Sequence, residues 1–173
     1  MSVGKLLGII CIMGGIAGYL YQWQCEQKKQ RERVEAFLLF LRKSVFVMES
    51  ENIKVVKLLE DYPEREMVLK DTLSEIARRL SLNIYPKGEV AWEEVLREEE
   101  QNWGLDKETF GLIINAGSGF FGRNRAENIC FLQKSIRELE EREKKNREQD
   151  AKKRKVWVPV GMLGGLMLVI LFI

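Results

Sequence analysis

"GSGFFG", at residues 117–122, is the stretch that decides between two fold classes. Its glycines have the G-x-G-x-x-G spacing of a dinucleotide-binding loop, in which a strand comes before the glycines and a helix comes after them. The preceding "FGLIINA" (110–116) could form that strand, and the following "RNRAENICFLQKSI" (123–136) could form that helix. A dinucleotide fold also needs a second parallel strand that ends in an acidic residue for the ribose.

The chain has no room for that second strand. The helix after the glycines continues into a densely charged segment (142–155) and then into an apolar end. We therefore interpret Gly117, Gly119 and Gly122 as structural residues that end helices and allow left-handed backbone at a tight corner between two antiparallel helices. Phe120 and Phe121 are expected to pin this corner into the core. This interpretation predicts no bound cofactor.

The composition excludes several kinds of active site. The 173 residues include no histidine, so Ser-His and Cys-His pairs and His-ligated metal sites are absent. A net charge of +2 is far below that of dedicated nucleic-acid-binding domains. The sequence contains no Walker A loop, no G-x-S-x-G and no H-E-x-x-H. We expect no catalytic residue, no metal and no nucleic-acid partner.

The chain has three cysteines, Cys11, Cys25 and Cys130. Their odd number and the absence of a C-x-x-C pair argue against a disulfide framework and against a zinc site. Free cysteine usually behaves as a small apolar residue. We expect all three to be buried or to face a membrane.

Both ends of the chain are apolar, while the middle is densely charged. Residues 6–23 ("LLGIICIMGGIAGYLYQW") and 156–173 ("VWVPVGMLGGLMLVILFI") carry no charge. A helix of this length spans about 27 Å, which is just enough to cross the hydrocarbon core of a bilayer. Tyr19, Tyr21, Trp23 and Trp157 lie at the inner ends, where aromatic rings prefer the headgroup level. The pattern predicts two transmembrane helices.

The basic flanks predict the orientation of these helices. Residues 1–5, a short tail on the outer side, contain only Lys5, whereas both inner flanks are strongly basic. The positive-inside rule then places the middle in the cytoplasm and both termini outside. A cleaved signal peptide with Lys5 in its n-region is the alternative for the N-terminal segment. The inner basic residues are Lys28, Lys29, Arg31, Arg33, Lys152, Lys153, Arg154 and Lys155.

Both apolar segments carry glycines four residues apart, at Gly14 and Gly18 and again at Gly161 and Gly165. Such faces allow helices to approach closely, either between the two segments or between copies of the chain in a homo-oligomer. The alternative is that glycine is simply frequent in membrane helices.

The middle predicts an all-α fold. Residues 26–140 read as a cytoplasmic bundle of about six helices, because apolar residues recur at spacings of three and four. Residues 141–155 then read as a charged helical stalk held by Glu–Lys and Glu–Arg pairs, or as a partly disordered segment. The apolar stripes are Val34, Phe37, Leu38, Leu41, Val45 and Met48, then Leu69, Leu73, Ile76 and Leu80, then Trp92, Val95, Leu96 and Trp103, then Phe110, Ile113 and Ile114, and finally Ile129, Leu132, Ile136 and Leu139.

Several residues predict where these helices begin and end. Asp61 with Glu64 is a start signal, and so is Asn124 with Glu127. Gly104 predicts the end of a helix, and Asp106 predicts the cap of the next one.

"EEVLREEE" (93–100) gathers many carboxylates on one helix. Glu93, Glu94, Glu98 and Glu99 should lie on the side away from Trp92, exposed and mutually repelling. A solvated helix face is one interpretation of them, and a docking surface for a basic partner is the other.

The chain resembles the stage III sporulation protein AB family of endospore-forming bacteria. The resemblance rests on the opening "KLLG", on "KGEVAWEEVL" (87–96), on "GFFGRNRAENICFLQKSI" (119–136) and on the closing "GMLGGLMLVILFI" (161–173). It implies a helical domain similar to the platform protein of type II secretion and type IV pilus machines. It also implies a place in the channel between mother cell and forespore, in the mother-cell membrane that surrounds the forespore.

The resemblance further implies partners. A platform of this kind engages a hexameric ATPase, here stage III sporulation protein AA, together with membrane proteins of the same complex. The leading hypothesis is therefore a non-enzymatic platform, with the acidic helix as a candidate ATPase-docking face. The alternative is a passive membrane-anchored scaffold or regulator whose basic flanks gather anionic lipid.

Overall fold

A computed structural model describes residues 3–51, 53–60, 66–122 and 124–172, with only some of the side chains at the two ends. Within these ranges the chain forms eight helices and no strand, so the prediction of an all-helical fold is confirmed. The helices are α1 (Val3–Ser50), α2 (Val55–Glu60), α3 (Met67–Ser81), α4 (Gly88–Glu98), α5 (Glu100–Trp103), α6 (Lys107–Ala116), α7 (Ser118–Phe121) and α8 (Arg125–Phe172). The pattern of apolar residues did not resolve α5 and α7, which are single turns.

The chain divides into two compact units. One comprises Met1–Lys29 and Lys144–Ile173, and the other, which we call the bundle, comprises Gln30–Glu143. The predicted bundle of 26–140 differs from the second unit by only a few residues at each end. The bundle ends at Glu143, so it includes the first three residues of the predicted stalk, and all of 141–155 is helical as part of α8.

The apolar ends belong to the first unit. Large apolar side chains are exposed along it, including Tyr19, Leu163 and Met167. In the described part of the chain, no helix combines the length and the apolar character that crossing a membrane requires. The transmembrane helices predicted at 6–23 and 156–173 therefore stay predictions.

The predicted apolar stripes pack against one another in the bundle. From α1, Val34, Phe37, Leu38, Leu41 and Val45 are buried, and the predicted Met48 is half-buried. Apolar burial removes these side chains from water and is the main term that stabilises the bundle. The other buried members of the stripes are Leu69, Leu73, Ile76, Trp92, Val95, Leu96, Trp103, Phe110, Ile113, Leu132 and Leu139.

Aromatic rings form the centre of this core. The ring of Phe37 lies 6.2 Å from that of Trp92 and 6.1 Å from that of Trp103, between centroids. Phe120 lies 5.5 Å from Phe40 and 5.4 Å from Trp92. These separations are those of favourable aromatic pairs, so α1, α4, α5 and α7 meet at one cluster.

The buried indole N–H groups of Trp92 and Trp103 have hydrogen-bond partners. Trp92 donates to the carbonyl of Ile113 at 3.3 Å, and Trp103 donates to the hydroxyl of Thr72 at 3.1 Å. An unsatisfied buried donor would be costly, so these bonds fix the orientation of the two rings.

Most of the predicted helix ends are correct. Gly104 ends α5 in the left-handed region (φ 57°), and Asp106 caps α6 by accepting from the backbone N–H of Thr109 at 3.1 Å. Asn124 caps α8 by accepting from Ala126 N at 3.0 Å. The start signal at Asp61 and Glu64 lies outside the described residues. The helix that follows begins at Met67, with the Glu66 side chain as its cap.

The corner glycines have a structural role, but the prediction that their backbone is left-handed is wrong. Gly117 has φ −53° and Gly122 has φ −66°, which any residue can adopt. Glycine is required because neighbouring side chains approach the backbone too closely for a Cβ. A Cβ at Gly117 would overlap the ring of Trp92, and one at Gly122 would overlap the amide of Asn128. A Cβ at Gly119 would come 2.7 Å from Leu132. Phe120 is buried as predicted, and Phe121 is partly buried against the core.

The prediction for the cysteines is wrong at Cys130. Its side chain is exposed, and Cys25 is only half-buried. On α8, Asn128 and Leu132 are buried, two residues before and two residues after Cys130. A residue midway between two positions four apart lies on the opposite side of a helix, so Cys130 faces outward. The side chain of Cys11 lies outside the described part of the structure.

Candidate functional site

The candidate docking surface is the acidic side of α4 and of the residue that follows it. On α4, Ala91, Trp92, Val95 and Leu96 are buried, which leaves the intervening positions on the outside. Glu93, Glu94 and Glu98 are exposed, and Glu99, at the junction with α5, is half-buried. We call Glu93, Glu94, Glu98 and Glu99 the acidic face.

Arginines neutralise part of the acidic face. Arg97 Nη2 lies 2.7 Å from Glu93 Oε1, one helical turn away. Arg79 of α3 donates to both oxygens of Glu98, at 3.0 Å and 2.5 Å. The expected mutual repulsion is therefore reduced at two of the four positions. Glu99 accepts from the side chain of Asn102, which is a neutral donor.

Arg79 links α3, α4 and the loop between them. Its guanidinium also donates to Glu75 Oε1 at 2.7 Å and to the hydroxyl of Tyr85 at 3.2 Å. Only 16% of its side chain is exposed. Planar guanidinium groups suit several carboxylate oxygens at once, so this one residue orients Glu98 relative to α3.

These contacts change the pKa values of two carboxyl groups and of one tyrosine hydroxyl. Hydrogen bonds from Arg78 and then from Arg79 lower the pKa of Glu75 to about 2. The hydrogen bond from Arg79 lowers the pKa of Glu98. A hydrogen bond with Glu94 is the main cause that raises the pKa of Tyr85. Both lowered carboxyl groups are ionised at neutral pH, so they supply negative charge and cannot act as general acids there.

A second polar cluster lies at the corner between α5 and α6. From α1, Gln30 donates to the carbonyl of Gly104 at 2.6 Å and Arg33 donates to that of Trp103 at 2.7 Å. From α8, Arg142 donates to Asp106 at 2.9 Å. The corner is thereby tied to both long helices of the bundle.

Asp106 has a shifted pKa at this corner. Burial raises its pKa, but hydrogen bonds from the hydroxyl and N–H of Thr109 and from Arg142 outweigh that effect, so the pKa lies below its usual value. Arg142 also pairs with Glu108. The sequence singled out Asp106 only as a cap. Its partner on α8 is 36 residues away and left no local signal.

The glycines predicted to pack in a membrane have no close partner where they are described. A Cβ built at Gly14 or Gly18 meets nothing within 4 Å among the described atoms. Gly161 and Gly165 lie within α8, but their surroundings are outside the described part of the structure. Among the described side chains, no three of His, Cys, Asp or Glu are grouped so as to hold a metal ion.

The comparison with protein families gives a match that spans almost the whole chain. The family described as stage III sporulation protein AB (spore_III_AB) matches residues 5–173. No curated protein and no solved structure shows a significant match. The family is one of structural sporulation proteins and is not a known enzyme family. The match covers the bundle, the charged segment and both apolar ends, so the chain belongs to the stage III sporulation protein AB family.

Proposed function

We propose that this sporulation protein is a non-enzymatic platform of the channel between mother cell and forespore. In this role it couples a cytoplasmic ATPase, stage III sporulation protein AA, to the other membrane proteins of the complex. The observation that carries the proposal is the acidic face, in which three exposed carboxylates lie on the well-packed α4 and the half-buried Glu99 follows it. The family match supports the sporulation context.

The platform would be anchored by its two apolar ends in the mother-cell membrane around the forespore. Two features support this anchoring, namely the uncharged stretches 6–23 and 156–173 and the large apolar side chains exposed along them. Apolar side chains exposed in such numbers are normally covered by lipid or by protein. The bundle would lie in the cytoplasm, with both chain termini outside.

The acidic face would bind a basic surface of the ATPase. Complementary charge chiefly steers a partner and fixes its orientation, and it acts over a distance of about 10 Å at moderate salt. Motion of the ATPase would then pass along α8, which is helical from Arg125 to Phe172 and so offers a continuous element for it.

The test is a binding titration of the full-length chain in nanodiscs against the purified ATPase. Reversing the charge of all four residues (E93K, E94K, E98K, E99K) should weaken binding at least tenfold at low salt. The matched control reverses four other exposed glutamates of the bundle (E51K, E60K, E127K, E141K), which changes the net charge equally. Unchanged affinity of the first variant, or equal losses in both, would remove the acidic face from the proposal.

A passive scaffold or regulator without an ATPase partner is the alternative. It is favoured by the exposed lysines of the basic flanks, which include Lys28, Lys29, Lys152 and Lys153. Such clusters attract anionic headgroups at about 1 kcal/mol per charge. Saturable binding that changes ATP turnover would exclude this alternative. A folded chain that leaves the ATPase unbound, yet gathers anionic lipid around its nanodisc, would support it.

A further inference from the structure

The loop between α3 and α4 exposes two large aliphatic side chains. Leu82 is 58% exposed and Ile84 is 54% exposed, although both belong to residue types that are normally buried. They are separated by one residue and followed by Tyr85 and Pro86. Neighbouring exposed apolar side chains can mark a site of protein interaction.

Hydrogen bonds order the backbone of this loop. The backbone N–H of Leu82 donates to Arg78 O at 3.1 Å, and that of Ile84 donates to Arg79 O at 3.4 Å. Asn83 between them has φ 49°, in the left-handed region that few residues other than glycine adopt. An ordered loop loses little conformational entropy when it binds, which favours a role in recognition.

The loop is continuous with the acidic face. Tyr85, the next residue after Ile84, accepts a hydrogen bond from Arg79, which in turn donates to Glu98. One connected surface therefore carries the aliphatic pair at one end and carboxylates at the other.

We propose that Leu82 and Ile84 form the apolar half of the docking surface. Its occupant is a protein segment that places apolar side chains next to lysine or arginine. The inference rests on the proposed function, since it assigns the same partner to both halves.

The charge of the surface decides between this occupant and a membrane. Residues 82–100 contain six glutamates against Lys87 and Arg97, and with Arg79 of α3 the surface carries six negative and three positive charges. Anionic lipid would be repelled by such a surface, whereas a basic protein segment would be attracted. Burial of the aliphatic pair would add an attraction that salt does not screen.

The experiment compares two double variants of the full-length chain in nanodiscs, with the purified ATPase as the probe. L82S/I84S removes the aliphatic pair, and F46S/M67S removes two exposed apolar side chains elsewhere, which are 69% and 78% exposed. We expect the first variant to bind roughly tenfold more weakly and the second to bind normally. The loss should persist at high salt, whereas the loss caused by charge reversal of the acidic face should shrink.

Unchanged unfolding curves of both variants would show that the fold is intact. Normal binding of L82S/I84S, or an equal loss in F46S/M67S, would overturn the inference and leave the proposed function standing. Failure of the unaltered chain to bind the ATPase would overturn both.

A photocrosslinker at position 84 then identifies what covers the loop. An adduct with the ATPase supports the inference, while an adduct mainly with lipid or with a second copy of this chain overturns it.

Discussion

The two sides of α4 are held in different ways. On the inner side, Trp92 packs against Phe37, Phe120 and the backbone at Gly117, with no space for one more carbon atom. On the outer side, Glu93 and Glu98 make ion pairs that stay in contact with water. Close packing tolerates almost no change, because removing or adding atoms leaves a cavity or an overlap. Exposed charges can be exchanged at little cost in stability, which leaves that side available for recognition.

The largest expected effect is on the inner side, from G117A. The backbone of Gly117 (φ −53°) accepts alanine, so any loss comes from the overlap of the new Cβ with Trp92. Overpacking of this kind costs about 2–3 kcal/mol of unfolding free energy. Urea unfolding of the full-length chain in detergent, followed by near-UV circular dichroism, measures the change.

G111A is the matched control for this prediction. Gly111 lies in the interior of α6, and a Cβ there meets nothing within 4 Å among the described atoms. Alanine should then be neutral or stabilise the chain by up to about 1 kcal/mol through its helix propensity. If G117A were as harmless as G111A, the tight packing of the inner side of α4 would be refuted.

A smaller loss is expected from T72V, which tests the same core through a hydrogen bond. Valine has nearly the shape of threonine but leaves the indole N–H of Trp103 without its acceptor. An unsatisfied buried donor costs about 1–2 kcal/mol. T72S keeps the hydroxyl and should lose less. Equal stability of T72V and the unaltered chain, in the same urea titration, would mean that this bond contributes nothing.

The sequence predicts which residues of α4 are buried, but it predicts poorly what the exposed residues contact. Burial follows from a repeating local pattern, so the stripe of Trp92, Val95 and Leu96 could be predicted without knowledge of the fold. Helix caps such as Asp106 are also local signals. The position of Cys130 shows the limit of a general rule for one residue type, since the helix periodicity already placed it on the outside.

The contact of Glu98 with α3 depends on tertiary structure. Arg79 and Glu98 are 19 residues apart, so no spacing rule brings them together. The pairs Glu75–Arg79 and Glu93–Arg97, each four residues apart, do have a local signal. The corner glycines give a similar lesson. Their importance was predictable, but the neighbouring ring of Trp92 that explains Gly117 was not.

Asp106 is intermediate between a buried core residue and an exposed charge, because it is a helix cap that is partly exposed. D106A should cost about 1 kcal/mol by removing the acceptor for Thr109. The lowered pKa of Asp106 means that its ionised form stabilises the fold above the unfolded pKa of about 4, and that this contribution is lost as the pH falls through the folded value. The difference between the unaltered chain and D106A should therefore be constant from neutral pH to about pH 5 and shrink below pH 4. A pH-independent difference would show that the charge of Asp106 is irrelevant.

The smallest expected effect on stability is on the outer side, from R79A. The variant removes the contacts to Glu75, Glu98 and Tyr85, yet both carboxylates stay open to water, so each pair contributes little and the total loss should be about 1 kcal/mol. The pKa values of the neighbouring carboxyl groups should change more clearly than the free energy of unfolding. The pKa of Glu98 should rise towards its usual value because Arg79 is what lowers it, whereas that of Glu75 should stay below its usual value because Arg78 remains. Carboxyl-carbon NMR resolves both groups, and urea unfolding measures the stability. A loss comparable to that of G117A would mean that Arg79 holds the bundle together, and the two sides of α4 would then no longer differ in kind.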